Sequence, residues 1–247
     1  DSRNILWVGT DEGVYIYNAE LEHFSFFCKT TAKDVGIRSH ITSIQEDKEQ
    51  NIWFSTLTQG VFFYHRKNDV LYNYTHEPDN PNSLDADMIL TLYIDHDNVI
   101  WAAPQRKNGV LNKYDRASDA FIPLQFKVDD GTHHEFGVYA MIEDSQHNFW
   151  IGTWNPGLCK LDRATGQVQS FLKPGTTNGI SHIHDIIEYQ PDILLIGSDD
   201  GLVIFNTGTY ESHLMTSSEF KRSTLSGNFI YPVFKDKEGG LWVGTYY

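Results

Sequence analysis

Residues 149–157 read FWIGTWNPG, and the first five of them decide the fold because the chain repeats them. Related strings stand at 6–10 (LWVGT), 52–56 (IWFST), 100–104 (IWAAP), 194–198 (LLIGS) and 241–245 (LWVGT). With Trp as the anchor, or Leu195 where Trp is missing, the copies fall at 7, 53, 101, 150, 195 and 242, spaced by 46, 48, 49, 45 and 47 residues. The surroundings travel with the anchor. Twelve residues before the last five anchors stand Ile41, Ile89, Val138, Ile183 and Ile230, and nine before them Ile44, Leu92, Met141, Ile186 and Val233. Six before them stand Asp47, Asp95, Asp144 and Asp236, with Tyr189 the exception. Downstream come the pairs Gly13-Val14, Gly60-Val61, Gly109-Val110, Gly157-Leu158 and Gly201-Leu202. Agreement at several registers marks a true repeat.

Each unit reads as four short strands. The first is the ITSIQED, ILTLYID, VYAMIED, IHDIIEY and IYPVFKD series, and a polar turn follows it. The second is the Trp-anchored string, the third begins at the Gly–aliphatic pair, and the fourth is weaker and aromatic. No segment carries a sustained 3.6-residue apolar stripe, so helices should be few. Four-stranded units of this length with Gly and Trp motifs predict an all-β fold, a β-propeller of four-stranded antiparallel blades. The anchored strand lacks polar alternation because a blade has neighbours against both faces. The expected domain is one partial propeller over 1–247, with repeat units at about 1–40, 41–88, 89–137, 138–182, 183–229 and 230–247. That is about five blades of an incomplete seven-bladed or tandem propeller, whose open edges another chain or segment should cover.

Composition narrows the function classes. The 33 acidic against 19 basic residues give a net charge of −14, which argues against nucleic acid as a partner. No apolar run is long enough to span a bilayer, and no direct membrane contact is expected of the chain. Two cysteines, Cys28 and Cys159, lack metal spacing, fall three units apart and are not expected to pair.

The pattern aliphatic–x–x–aliphatic–x–x–Asp–turn–hydrophobic–Trp–Ile/Val–Gly–Thr–x–x–Gly–Leu resembles the two-component regulator propeller repeat. VYAMIEDSQHNFWIGTWNPGLCKLDR and IYPVFKDKEGGLWVGTYY are close to it, and ITSIQEDKEQNIWFSTLTQGVFFYHR departs only by Ser55 in place of Gly. The third unit keeps Trp101 but loses Gly and Thr, and the fifth keeps Gly197 but loses Trp and Asp. The resemblance implies the extracytoplasmic, periplasmic sensor region of a hybrid two-component histidine kinase of gut bacteria. It implies further propeller, immunoglobulin-like and kinase domains as partners in a longer parent protein, an oligosaccharide as ligand, and room for a homodimer.

In a propeller the loops between second and third strands, and the crossings between blades, share one face. Sugar recognition uses aromatic faces and planar polar groups. Trp154, Asn155, Gln105, Arg106, His133 and His134 supply those types on neighbouring units and are the candidate ligand-binding residues. Trp154 has a competing role as a cap on the core. The motif residues Trp7, Trp53, Trp101, Trp150 and Trp242 are read as packing. His182 and His184 alternate on a strand, but no third ligand of metal spacing is evident, so no metal and no cofactor is expected. The DDG strings at 129–131 and 199–201 read as turns, not calcium loops. No nucleophile elbow, zinc-protease helix or phosphate loop is present, and the repeated Asp residues read as turn formers, so no catalytic residue is assigned. A non-enzymatic sensor is the leading reading, with a protein-interaction scaffold or a carbohydrate lyase or hydrolase as alternatives.

Overall fold

The computed structural model describes residues 1–105, 109–128, 137–176, 179–217 and 225–246, and all regular structure among them is β. The chain divides into two compact units, one running up to Leu124 and one from Gln125 onward. The first unit begins with a three-stranded sheet of β1 (Leu6–Thr10), β2 (Gly13–Asn18) and β3 (His23–Phe26). A four-stranded sheet follows, with β4 (Ile41–Glu46), β5 (Ile52–Thr56), β6 (Val61–His65) and β7 (Val70–Tyr74) in order. The next sheet holds β8 (Ile89–Ile94), β9 (Ile100–Pro104), β10 (Val110–Asp115) and β11 (Ala120–Gln125).

In the second unit β12 (Lys127–Val128) adds in parallel to the outer edge of a sheet made by β13 (Val138–Glu143), β14 (Phe149–Thr153), β15 (Leu158–Leu161) and β16 (Gln167–Phe171). That sheet therefore has five strands where four were expected. Then come β17 (Ile183–Gln190), β18 (Ile193–Ser198), β19 (Leu202–Asn206) and β20 (Ser212–Met215). The last sheet is the pair β21 (Ile230–Lys235) and β22 (Leu241–Thr245). These are the antiparallel blades the repeat predicts.

Burial follows the repeat. In β5, β9 and β14 every residue is buried, since each of these strands is walled on both faces. Trp53 packs with Ile89, Leu92 and Tyr114 of the following sheet, and Trp150 with Ile183, Ile186 and Phe205 of the sheet after its own. Glycine at the second position after Trp lets the blades close: a Cβ on Gly152 would lie 2.4 Å from Ile183 Cγ2, and one on Gly9 2.7 Å from Ile41 Cβ. Where Ser55 replaces that glycine, its hydroxyl bonds Thr42 Oγ1 at 2.7 Å, and Thr42 donates to the Ile89 carbonyl at 2.8 Å. The outer sheets lack such walls, so Trp242 is 65% exposed while Trp53 and Trp150 are 0%.

The turn before the anchor is held by its aspartate in a way the sequence only half suggests. Asp47, Asp95, Asp144 and Asp236 each accept a backbone N–H across the turn, from Asn51, Val99, Asn148 and Gly240 at 2.6–2.9 Å. The second carboxylate oxygen of each accepts the indole N–H of the anchor, from Trp53, Trp101, Trp150 and Trp242 at 2.7–3.1 Å. Asp1 does the same for Ile5 and Trp7, both at 2.7 Å. The fifth repeat loses both members together. There strand pairing runs on to Gln190↔Ile193, leaving only Pro191 and Asp192 at the tip, and no carboxylate is needed to hold a wider turn.

The two free thiols differ in setting, Cys28 exposed and Cys159 buried with its thiol pushed up to about 12 by burial. A double-mutant cycle tests the turn lock. Asp144→Ala alone should cost about 2–4 kcal/mol by orphaning the indole and Asn148 N–H groups. Combined with Trp150→Phe, the loss should fall short of the sum by about 1–2 kcal/mol in urea unfolding. Strict additivity would remove the coupling.

Candidate functional site

Every complete first strand carries the same irregularity near its start. The register shifts between Ile41 and Ser43, Ile89 and Thr91, Val138 and Ala140, Ile183 and Asp185, and Ile230 and Val233. Such a bulge leaves one residue out of the ladder and re-aims its side chain. In the second unit the residues so displaced are Tyr139, His184 and Tyr231, and they converge with the loop after β14 and the loop after β18.

The result is a stack of rings. Trp154 lies flat on His182 with centroids 4.7 Å apart and planes at 14°. His182 meets His184 at 4.3 Å, and His184 lies flat on Tyr231 at 4.0 Å and 18°. Tyr139 closes the side with an edge contact to His182 at 4.6 Å. The ends of the stack reach solvent, with Trp154 49% and Tyr231 50% exposed, while the His184 side chain is only 7% exposed. His182 holds a left-handed backbone (φ 41°), which turns its ring into the stack. Its amide donates to the Trp154 carbonyl and its carbonyl accepts from Asp199, both at 3.3 Å, so three loops are tied at one residue.

Three carboxylates lie nearby and do different work. Asp200 is taken up by the Ser181 amide and hydroxyl at 2.6 and 2.7 Å. Asp185 accepts the Val233 and Ile186 amides, and burial raises its carboxyl above the usual range. Asp199 faces the imidazoles, 2.6 Å from His184 Nε2 and 3.4 Å from His182 Nδ1. Burial pushes the His182 imidazole below its usual value, the neighbouring His184 adds to this, and Asp199 opposes it. His182 therefore favours the neutral ring.

Trp154 and Asn155 stand exposed on the loop after β14, as the sequence places them. Gln105 is exposed in the first unit, its amide donating to the Met88 carbonyl at 2.8 Å. Arg106, His133 and His134 lie outside the described residues. Sequence reasoning noted His182 and His184 but missed Asp199, Tyr139 and Tyr231. Asp199 was absorbed into the DDG turn, and the two tyrosines occupy the position next to the first aliphatic of the strand, where only the bulge gives them meaning.

The first unit has a separate recess of about 680 Å³, lined in part by Tyr72, Asn73, Asn80, Asn82 and Asp119. There the Tyr74 and Tyr114 hydroxyls donate to Asp119 at 2.6 and 2.5 Å. Burial and that carboxylate raise both phenols, Tyr114 to about 12. None of the described candidate residues lines it.

The model of the two component regulator propeller family matches residues 36–58, 137–155 and 224–247, each centred on or ending at a first-strand, turn and anchor unit. Those three stretches are similar to the two-component regulator propeller repeat. A histidine kinase of Formosa agariphila is 27% identical over 210 residues, covering 83% of this chain and 15% of its own length. Two solved structures share the fold. One is the extracellular domain of a protein of B. thetaiotaomicron assigned to a one-component system (TM-score 0.77, 22% identity, 98% of this chain and 30% of that one). The other is the extracellular domain of a protein of the same organism assigned to a hybrid two-component system (TM-score 0.78, 19% identity, 99% of this chain and 31% of that one). At those identities the likeness is one of fold. The chain thus spans less than a third of the relatives it matches.

Within the regulator propeller motif itself the two tryptophans of FWIGTW part company. Trp150→Ala should cost about 3–5 kcal/mol in denaturant unfolding, as for a fully buried ring. Trp154→Ala should cost no more than about 1 kcal/mol. Equal losses would place Trp154 in the core.

Proposed function

We propose that this chain is the extracytoplasmic, ligand-sensing propeller of a hybrid two-component signalling protein, and that its ligand is an oligosaccharide. The observation that carries this reading is the ring stack ending in half-exposed Trp154 and Tyr231, with exposed Asn155 beside it. Aromatic faces next to planar polar groups suit the apolar side and the hydroxyls of a sugar ring. The relation to a histidine kinase and the extracellular placement of the two solved relatives support a sensing role on the outer side of a membrane. The partners are then the further propeller, immunoglobulin-like and kinase domains of a longer parent. Occupancy is transmitted only so far as the ligand binds one arrangement of those domains better than another. The chain itself is read as non-enzymatic, since Asp185 and Asp200 serve backbone and Ser181 groups and Asp199 serves the histidines.

A scaffold role has one observation in its favour: Phe234 is 60%, Trp242 65% and Leu241 40% exposed on the last sheet, a surface suited to a protein neighbour or a second copy of the chain. Calorimetric titration with a panel of neutral and acidic glycan fragments separates the readings. Saturable binding of one fragment, weakened at least about tenfold by Trp154→Ala, is the expected outcome. Heat from no fragment, alongside self-association in sedimentation, would favour the scaffold. Conversion of a fragment seen by chromatography would overturn the non-enzymatic reading.

A further inference from the structure

The ring stack contains a second chemistry that sugar binding does not require. We propose that His182, His184 and Asp199 together bind a divalent transition-metal ion, zinc by preference. The potential ligand atoms of the three side chains all lie within 4.8 Å of one another. In a tetrahedral site with bonds of about 2.0–2.1 Å, ligand atoms stand roughly 3.3 Å apart. Asp199 lies between the two rings, one oxygen 2.6 Å from His184 Nε2 and the other 3.4 Å from His182 Nδ1, so gathering the three side chains on one ion asks for shifts of about 1 Å. Two imidazoles and one carboxylate suit zinc, copper or nickel better than magnesium or calcium.

Several features hold these groups as ligands are held. The rings are fixed from outside, His182 against Trp154 and His184 against Tyr231, the orienting role that outer partners take in metal sites. Asp200 satisfies Ser181, which leaves its neighbour Asp199 to the histidines. His182 Nε2 is buried and has no hydrogen-bond partner, so this imidazole is not committed to a network on both nitrogens. Its left-handed backbone is the kind of local strain that clusters at ligand clamps. Three protein ligands leave a coordination position for an outside donor, and the site opens beside Trp154 and Tyr231.

A plain hydrogen-bonded trio would look similar, and titration with metal separates the two. The chain, tag-free and stripped with a chelator, is titrated with zinc chloride in sugar-free buffer, so the outcome does not depend on any glycan. One equivalent should bind, raising the melting temperature, and His184→Gln or Asp199→Asn should weaken binding at least about tenfold. His213→Gln, an exposed strand histidine that belongs to no such cluster, should leave it unchanged. Should either site variant fail to fold, cobalt added to the unaltered chain decides: intense visible ligand-field bands, abolished by one equivalent of zinc, are expected of a tetrahedral site. Absence of stoichiometric binding, absence of those bands, or undiminished affinity in both folded variants would overturn the proposal.

Discussion

The structure depends on a buried indole N–H that must find an acceptor. A blade needs a large flat side chain to fill the space toward its neighbour, and tryptophan fills it at the cost of one polar atom. The aspartate six residues earlier supplies the acceptor, and its other oxygen gathers a turn amide, so the hairpin and the inter-blade packing are fastened by one carboxylate. Five copies of this arrangement differ by only 0.4 Å in the indole contact, from 2.7 to 3.1 Å. Neither partner is tolerable alone, because a buried carboxylate without donors and a buried N–H without an acceptor are both costly. That is why the fifth repeat abandons both at once, taking Leu195 and Tyr189 and closing its hairpin around Pro191 and Asp192.

The same repetition prepares the place where function can sit. Each first strand begins with a buried aliphatic, and the bulge that follows frees the next residue from the ladder. The scaffold therefore delivers one re-aimed side chain at the start of each blade. Thr42 uses that position for a hydroxyl relay to Ser55 and Ile89. Tyr139, His184 and Tyr231 use it to build the stack.

The fold was legible because its determinants recur, and a recurrence can be read without knowing any contact. Trp53, Trp101 and Trp150 as packing residues, the lack of helices among the described residues, and the antiparallel sheets all follow from the period and the polar turns. The turn role of Asp144 was visible, whereas its bond to Trp150 was not, since a spacing of six residues has no meaning until the hairpin register sets the two side chains together. The site was less legible for the converse reason. Trp154 stood out by having no counterpart in other repeats, but Asp199 lies beyond a full hairpin from His184, and a bulge has no sequence mark of its own. A third strand-end residue, Tyr231, comes from the next blade altogether. Sugar-type composition in a loop picked out Gln105, which is exposed in the first unit.

Departures from the repeat carry information for the same physical reason that the repeat does. A position fixed by packing must be refilled in every blade, so a residue seen once is free of that duty. Trp154 and His184 each occur once at their place in the unit, whereas His182 and Asp199 have counterparts in His40 and Asp11, which stand 2.6 Å apart. The single residues meet the repeated pair at the fifth blade, the one that also dispensed with the Trp–Asp lock. Its core is carried instead by Leu195 with Leu202, Ile230 and Val233, an aliphatic cluster that asks for no polar partner. At the end of the strands away from the β17–β18 hairpin, Asp185, Asp199 and Asp200 divide backbone, histidine and serine between them. The blade that breaks the pattern in its core is thus the blade whose rim has chemistry to offer.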